Sequence, residues 1–305
     1  MDVLPACEYV IRHAEDVKLD WERFKNFEEL IDKYKDSPGW DVLTKKLLEG
    51  VEHKIELSVL RDALNFKFWE KEGGRILRNE NMYNDKTYYG ASGLAACIRR
   101  AVDEDVPLHD PEFLQQVNLS EAEEIFNGNI RMPMLEKRVD IMRELGSSGK
   151  PLDYFLDNVE HELWPLVERL SEAHPCYRDV WKYGRKEVPI FKRAQLMFNT
   201  LHKQGYLKVE KTEESTVFAD YRIPQSLREL GLLKYSEALE YKVDSYQLLP
   251  AGSAEEVEIR AATIVACERL ANEYGLPILR VDNILWRYGR EHCELPHHLT
   301  ETTCY

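Results

Sequence analysis

SAEEVEIRAATIVACERL, residues 253 to 270, decides the fold class. Ile259, Ala262, Ala266 and Leu270 recur at the period of one helix face, and Ser253 with Glu256 three residues later has the form of a capping box. The same period runs through Leu152, Phe155, Leu156, Val159 and Leu163, then Leu166, Val167 and Leu170. Alternating patterns are scarce. The best are residues 207 to 209 and 216 to 218, separated by the polar EKTEES, a candidate hairpin. The predicted fold is mainly α, a helical bundle with at most a small β-hairpin.

With 305 residues, 44% of them hydrophobic, the chain can bury a large core and sits near the length at which one core stops growing. A single compact domain over residues 1–305 is expected, or two closely packed helical lobes with a boundary near residue 150, where GSSGKP from Gly146 punctuates the pattern. The 55 acidic residues outnumber the 41 basic ones, giving a formal charge of −14. Such a field repels a phosphate backbone, so no direct nucleic-acid binding is expected. The opening MDVLPACEYV lacks a basic n-region, and no apolar run is long enough to span a bilayer, which points to a cytoplasmic protein with no membrane partner. Cys7, Cys97, Cys176, Cys267, Cys293 and Cys304 form no CxxC pair, in keeping with free thiols in a reduced compartment.

Three segments combine side chains that could do chemistry. In FADYRIPQ, residues 218 to 225, Pro224 biases Ile223 toward an extended conformation and sets Asp220, Tyr221 and Arg222 on an irregular turn. The following SLRELGLLKYSEAL reads as helix, tight turn at Gly231, then helix, with Leu227, Leu230 and Leu233 inward. This is close to a helix-hairpin-helix pattern, with Leu233 where a second glycine is usual; an ordinary helical hairpin with a surface Asp fits as well. In VPIFKRAQLMFNTLH, Lys192 and Arg193 stand at a helix start, where cations oppose the macrodipole unless an anion such as phosphate lies between. A solvated basic pair is the alternative. In LRDALNFKFWE, Asp62, Asn65, Phe66, Phe68 and Trp69 offer the stacking and edge groups that a flat heterocycle needs, or else plain core packing. Asp282 and Trp286, one turn apart in RVDNILWRYGRE, raise the same two readings.

Other chemistries lose their signatures. His292, Cys293, His297 and His298 fit no established zinc spacing, so no metal is expected. There is no G-x-x-x-x-G-K-[ST] loop, no G-x-G-x-x-G after a strand and no G-x-S-x-G elbow.

The chain resembles the queuosine salvage family, also described as queuosine 5′-phosphate N-glycosylases. The likeness is carried by DALNFKFWE from Asp62, YYGASGLAACIRRAVDEDVPL from Tyr88, RMPMLEKRVDIMRELG from Arg131, FKRAQ from Phe191, FADYRIPQSLRELGLLKYS from Phe218, VEIRAATIVACERL from Val257, VDNILW from Val281 and PHHLTETTCY from Pro296. Glu70 and Tyr89 depart from it, standing where proline and tryptophan are expected. The resemblance implies a fold similar to helix-hairpin-helix DNA glycosylases. It also implies N-glycosidic hydrolysis of queuosine 5′-monophosphate to queuine and ribose 5-phosphate, salvaging queuine for tRNA modification, with no metal or organic cofactor.

Cleaving a C1′–nitrogen bond builds positive charge on the ribose, which a carboxylate beneath the sugar stabilises. Asp220 is the candidate catalytic residue, as nucleophile or as general base for water. Queuine is a 7-deazapurine, so donors at other edges must meet the departing charge. Asn65, Tyr221, Arg222 and Asp282 are the candidates, with Phe66, Trp69 and Trp286 as packing surfaces. Lys192, with Arg193, would bind the 5′-phosphate. The competing possibilities are an enzyme for free queuosine or a damaged DNA base, and a non-catalytic queuine carrier or helical interaction protein.

Overall fold

The computed structural model describes residues 2–24, 27–39, 41–148 and 161–305. Helices dominate them, as expected, but the named strands form four two-stranded antiparallel pairs, more sheet than the one small hairpin expected. In chain order the first part runs α1 (Val3–His13), β1 (Val17–Leu19), α2 (Phe27–Tyr34), α3 (Asp41–Leu47) and α4 (Lys54–Ala63). Two hairpins follow, β2 (Trp69–Glu72) with β3 (Arg75–Arg78) and β4 (Glu80–Tyr83) with β5 (Lys86–Tyr89). Next come α5 (Gly90–Asp103), α6 (Pro111–Gln116), α7 (Leu119–Ile125), α8 (Leu135–Ser147) and α9 (Leu163–Ala173). A third hairpin, β6 (Val180–Tyr183) and β7 (Lys186–Pro189), leads into α10 (Lys192–Lys203). The chain then forms α11 (Arg222–Glu229), β8 (Leu233–Tyr235), α12 (Glu237–Asp244), α13 (Ala254–Tyr274) and α14 (Ile278–Glu291).

Two apolar cores organise these elements. One gathers α4 to α10 around Leu60, Phe66, Leu94, Met142, Leu166 and Phe198. The other gathers α1, α2 and α11 to α14 around Val10, Phe27, Leu227, Ile259 and Ile284, so the N-terminus joins the C-terminal half. Trp164 packs against both. Strand β1 pairs antiparallel with β8, Val17 opposite Tyr235, which ties that union down. In the first core, Gly146 of α8 meets α6 so closely that a Cβ there would lie 2.6 Å from the Pro111 carbonyl oxygen.

Helix α13 is central. Ser253 caps it by accepting from the Glu256 N–H, while the Glu256 carboxylate accepts from Gly252 N–H and Gly275 closes the far end at φ +61°. Val257, Ile259, Ala261, Ala262, Ile264 and Ala266 are all buried, so the helix is covered on both faces and not only on the one its apolar period marks, and each large apolar side chain contributes about 1.5–3 kcal/mol of burial. Glu256, Glu258 and Arg260 are buried with them. No helix among the described residues is long and apolar enough to cross a membrane.

Three local expectations are corrected. No hairpin joins residues 207–209 to 216–218: EKTEES contains a 3-10 turn at Thr212–Glu214. Side chains take the donors that a ladder would use, Gln195 Oε1 accepting from Thr216 N–H and Asp282 from Phe218 N–H. Gly231 does turn the chain, at φ +80°, but β8 stands between α11 and α12, so the segment is helix, strand, helix. Ile223 is helical despite Pro224, because α11 begins at Arg222 and a first-turn proline removes an N–H that has no intrahelical partner. Leu163, Leu166, Val167 and Leu170 are buried in α9 as the period predicts, whereas Leu152, Phe155, Leu156, Val159 and the boundary near 150 lie outside the described residues.

Candidate active site

The β6–β7 hairpin delivers Phe191, at φ +52°, to the start of α10, where Lys192 is only 6% exposed. Asp179, just before β6, accepts the Lys192 backbone N–H at 3.1 Å and the Trp181 indole N–H at 2.8 Å. Burial would raise the Asp179 carboxyl, but the Arg260 guanidinium against it holds it below the usual carboxylate range. Burial also lowers the Lys192 ammonium, and the neighbouring charges of Asp220 and Asp282 oppose that loss. Asp62 also feels this ammonium; burial raises its carboxyl against the pull of Arg61 and Lys192. The Lys192 ammonium therefore interacts electrostatically with three carboxylates.

Asp220 occupies the turn before α11, where its Oδ1 accepts from Arg222 N–H at 2.6 Å and Ile223 N–H at 3.2 Å. These are orphan donors of a helix start, so the residue caps α11, and its charge also acts on the Lys192 ammonium. Asp282 comes from α14, 3% exposed, with Oδ2 accepting from Phe218 N–H at 2.8 Å. Burial raises its carboxyl to about 7, the Phe218 bond opposes this, and the charge of Asp220 adds to it.

That shift has a stability consequence. An unfolded carboxyl titrates at about 3.9. With the folded value raised to about 7, the stabilising contribution is fully present below pH about 4 and is lost as pH rises through about 7. Asp282→Asn removes the loss, so its melting temperature relative to the unaltered protein should climb by several degrees between pH 5 and pH 8. A difference that stays flat with pH would contradict the shift.

Beyond this cluster the half-buried Tyr221 packs its ring 4.6 Å from His297, and burial pushes its phenol up to about 12. The Trp69 ring also stands 6.1 Å from His297, with Lys67 Nζ 4.7 Å from the Trp69 ring. The His297 Nδ1 lies 2.8 Å from the His298 carbonyl, and burial lowers the ring to about 3, so it is neutral. With Nδ1–H donating there, Nε2 is the acceptor. Arg78, Arg222 and Arg290 all act electrostatically on Tyr221, so this flank is cationic. Arg222 also donates to Gln225 and to the Gly289 carbonyl. Asn65 is half-buried at the end of α4, and Trp286 is half-buried on α14, with the Arg290 guanidinium 4.7 Å from its ring.

Two expected contacts go elsewhere. Arg193, 1% exposed, donates to the carbonyls of Ala63 and Cys176, and Arg138 donates to those of Leu64, Phe66 and Lys67. Both guanidinium groups satisfy carbonyls at and beyond the C-terminal end of α4, the negative end of its dipole. Their carbons lie 5.2 Å and 4.1 Å from the Phe66 ring, which is itself 1% exposed. Phe66 and Arg193 thus form a packed stack and present no free surface to a ligand. Sequence reasoning missed Asp179, Arg260 and His297 as parts of this region; the signal for Arg260 is a charge between the apolar Ile259 and Ala261 of a helix buried all round.

Residues 47–305 match the family described as queuosine salvage protein. The chain is similar to proteins named queuosine 5′-phosphate N-glycosylase/hydrolase. It is 34% identical to the one from Sphaerobacter thermophilus over 273 positions, covering 84% of this chain and 83% of the relative. For the Mus musculus protein identity is 30% over 335 aligned positions, 98% and 97% of the two chains, and for that of Schizosaccharomyces pombe 30% over 257, 76% and 73%.

Proposed function

The chain belongs to the queuosine salvage family, and from that membership we propose that it hydrolyses the N-glycosidic bond of queuosine 5′-monophosphate, releasing queuine and ribose 5-phosphate. Water supplies the oxygen that bonds C1′ and the proton that the departing base acquires. The observation that supports this best is a buried Lys192 ammonium that feels the charge of the Asp220 carboxylate, the two residues coming from different elements.

Asp220 engages the backbone through Oδ1, so Oδ2 is the oxygen left for the sugar, where a fixed anion stabilises an oxocarbenium-like transition state. Lys192 holds the 5′-phosphate by a charge-assisted bond and so orients C1′ over Asp220. A phosphate also relieves the cost of burying that ammonium. Tyr221 and Arg222 meet charge on the leaving base, with Asn65 and Asp282 reading its polar edges and Trp69 and Trp286 packing its apolar parts. Phe66 and Arg193 act behind the site by fixing the end of α4.

We take residues 1–305 as one compact catalytic domain of two helical lobes, similar in its overall helical fold to helix-hairpin-helix DNA glycosylases although β8 interrupts the segment at Gly231. The formal charge of −14 favours a small nucleotide over a nucleic acid, and the six free cysteines suit the cytoplasm. Incubation of the purified protein with queuosine 5′-monophosphate tests the activity. Queuine and ribose 5-phosphate in equal amounts by mass spectrometry are the expected products. Tight binding of queuine without any release from the nucleotide would instead make the protein a carrier.

A further inference from the structure

We infer that Arg260 is a positioning residue that sets the spacing between Asp220 and Lys192, and thereby the preference of the site for a phosphorylated nucleoside. The inference rests on the roles proposed above for those two side chains. Arg260 lies on α13 and is 0% exposed. Its Nε donates to the Ala219 carbonyl at 3.0 Å, one residue before Asp220. Its Nη1 and Nη2 donate to the two oxygens of Asp179 at 2.8 and 2.6 Å. The same Asp179 Oδ2 accepts the backbone N–H of Lys192. One planar guanidinium therefore connects the turn carrying Asp220 to the helix start carrying Lys192.

The geometry of the group explains why an arginine stands here. Its donors keep fixed angles, so the Ala219 carbonyl and the Asp179 carboxylate are held at a set separation. A lysine ammonium is a point charge on a flexible stem and cannot reproduce a bidentate contact and a third bond at once. Glu256, 3.5 Å away, and the Tyr305 ring, 4.5 Å from the guanidinium carbon, fix the arginine from behind. In the substrate, C1′ and the 5′-phosphate lie at opposite ends of the ribose unit. The spacing of their two partners matters only when both ends are engaged. Unphosphorylated queuosine engages Asp220 without needing Lys192.

The test is steady-state hydrolysis by Arg260→Lys in the full chain, with kcat and KM measured separately for queuosine 5′-monophosphate and for queuosine. The preference for the phosphorylated substrate should fall about 10-fold or more, mainly in kcat, as misplacement of a bound substrate does. Placing the change in a Lys192→Ala background should add no further loss on the phosphorylated substrate, because both changes act through one contact. Asp179→Asn provides a second route, since it keeps an acceptor for the Lys192 N–H and removes the charge that docks Arg260. Equal losses on both substrates, or independent losses in the double variant, would overturn the inference. So would failure of both Arg260→Lys and Asp179→Asn to fold, which would make this network a requirement of the fold alone. The site assignment beneath it fails by a different sign, namely a Lys192→Ala protein that keeps the full preference for phosphate.

Discussion

Asp220→Asn is expected to lower hydrolysis of queuosine 5′-monophosphate by about 100-fold or more, the scale seen when a partner of transition-state charge is removed. The change is small in structure. Asparagine presents a side-chain oxygen to Arg222 and Ile223 N–H as aspartate does, and the two residues cap helices about equally well. What disappears is a full negative charge beneath a sugar that becomes cationic. Queuine affinity and melting temperature should therefore stay near their original values while turnover falls. Rates of base release and equilibrium queuine binding, taken at matched thermal stability, check it. Turnover close to that of the unaltered protein would remove Asp220 from catalysis, and unfolding would leave it as the cap of α11 only.

Lys192→Ala is expected to cost about 100-fold in kcat/KM on queuosine 5′-monophosphate and to change queuosine by only a few-fold. The side chain is deleted where its own backbone N–H already has a partner in Asp179, and alanine is the best helix former, so α10 should start as before. Removing the ammonium also removes an attraction felt by Asp62 and Asp282, which pushes both carboxyls further toward their neutral forms. That neutralisation limits the stability cost of leaving carboxylates without their cation. Comparison of the two substrates under identical conditions reads the effect. Equal losses would mean that the lysine serves the carboxylate cluster and not the phosphate.

How much of this was legible in the sequence depends on what each residue contacts. Helix α13 was visible because its apolar period and its cap are local. The hairpins β2–β3 and β4–β5 were not, because strands such as WEKE and RILR are largely solvent-facing and carry no alternation. Only the first turn was signalled, by Gly73-Gly74, and both glycines adopt positive φ; Asn84 and Asp85 do the same in the second, which was not foreseen. The pairing of β1 with β8 joins residues more than two hundred positions apart, and nothing local announces it.

The site shows the same division. Lys192 was suggested by a cation at a helix start, where the macrodipole opposes it, and Asp220 by its place on a turn held by Pro224. Arg193 was grouped with Lys192 by adjacency, yet successive residues point about 100° apart around a helix, and this one reaches the carbonyls at the end of α4. Phe66 looked like a stacking surface, and the two guanidinium groups that cover it come from α8 and α10, far along the chain. Asp179 and Arg260 meet only through the fold. Their trace in sequence is a buried helix with charges that must find partners, and a single chain does not say which.

The most direct test of the central claim is a crystal structure of Asp220→Asn holding uncleaved queuosine 5′-monophosphate. The account predicts the phosphate within about 3 Å of Lys192 Nζ, C1′ over the side chain of residue 220, and the base toward Tyr221 and Asp282. A phosphate seated instead among Arg78, Arg222 and Arg290, with C1′ away from residue 220, would contradict it.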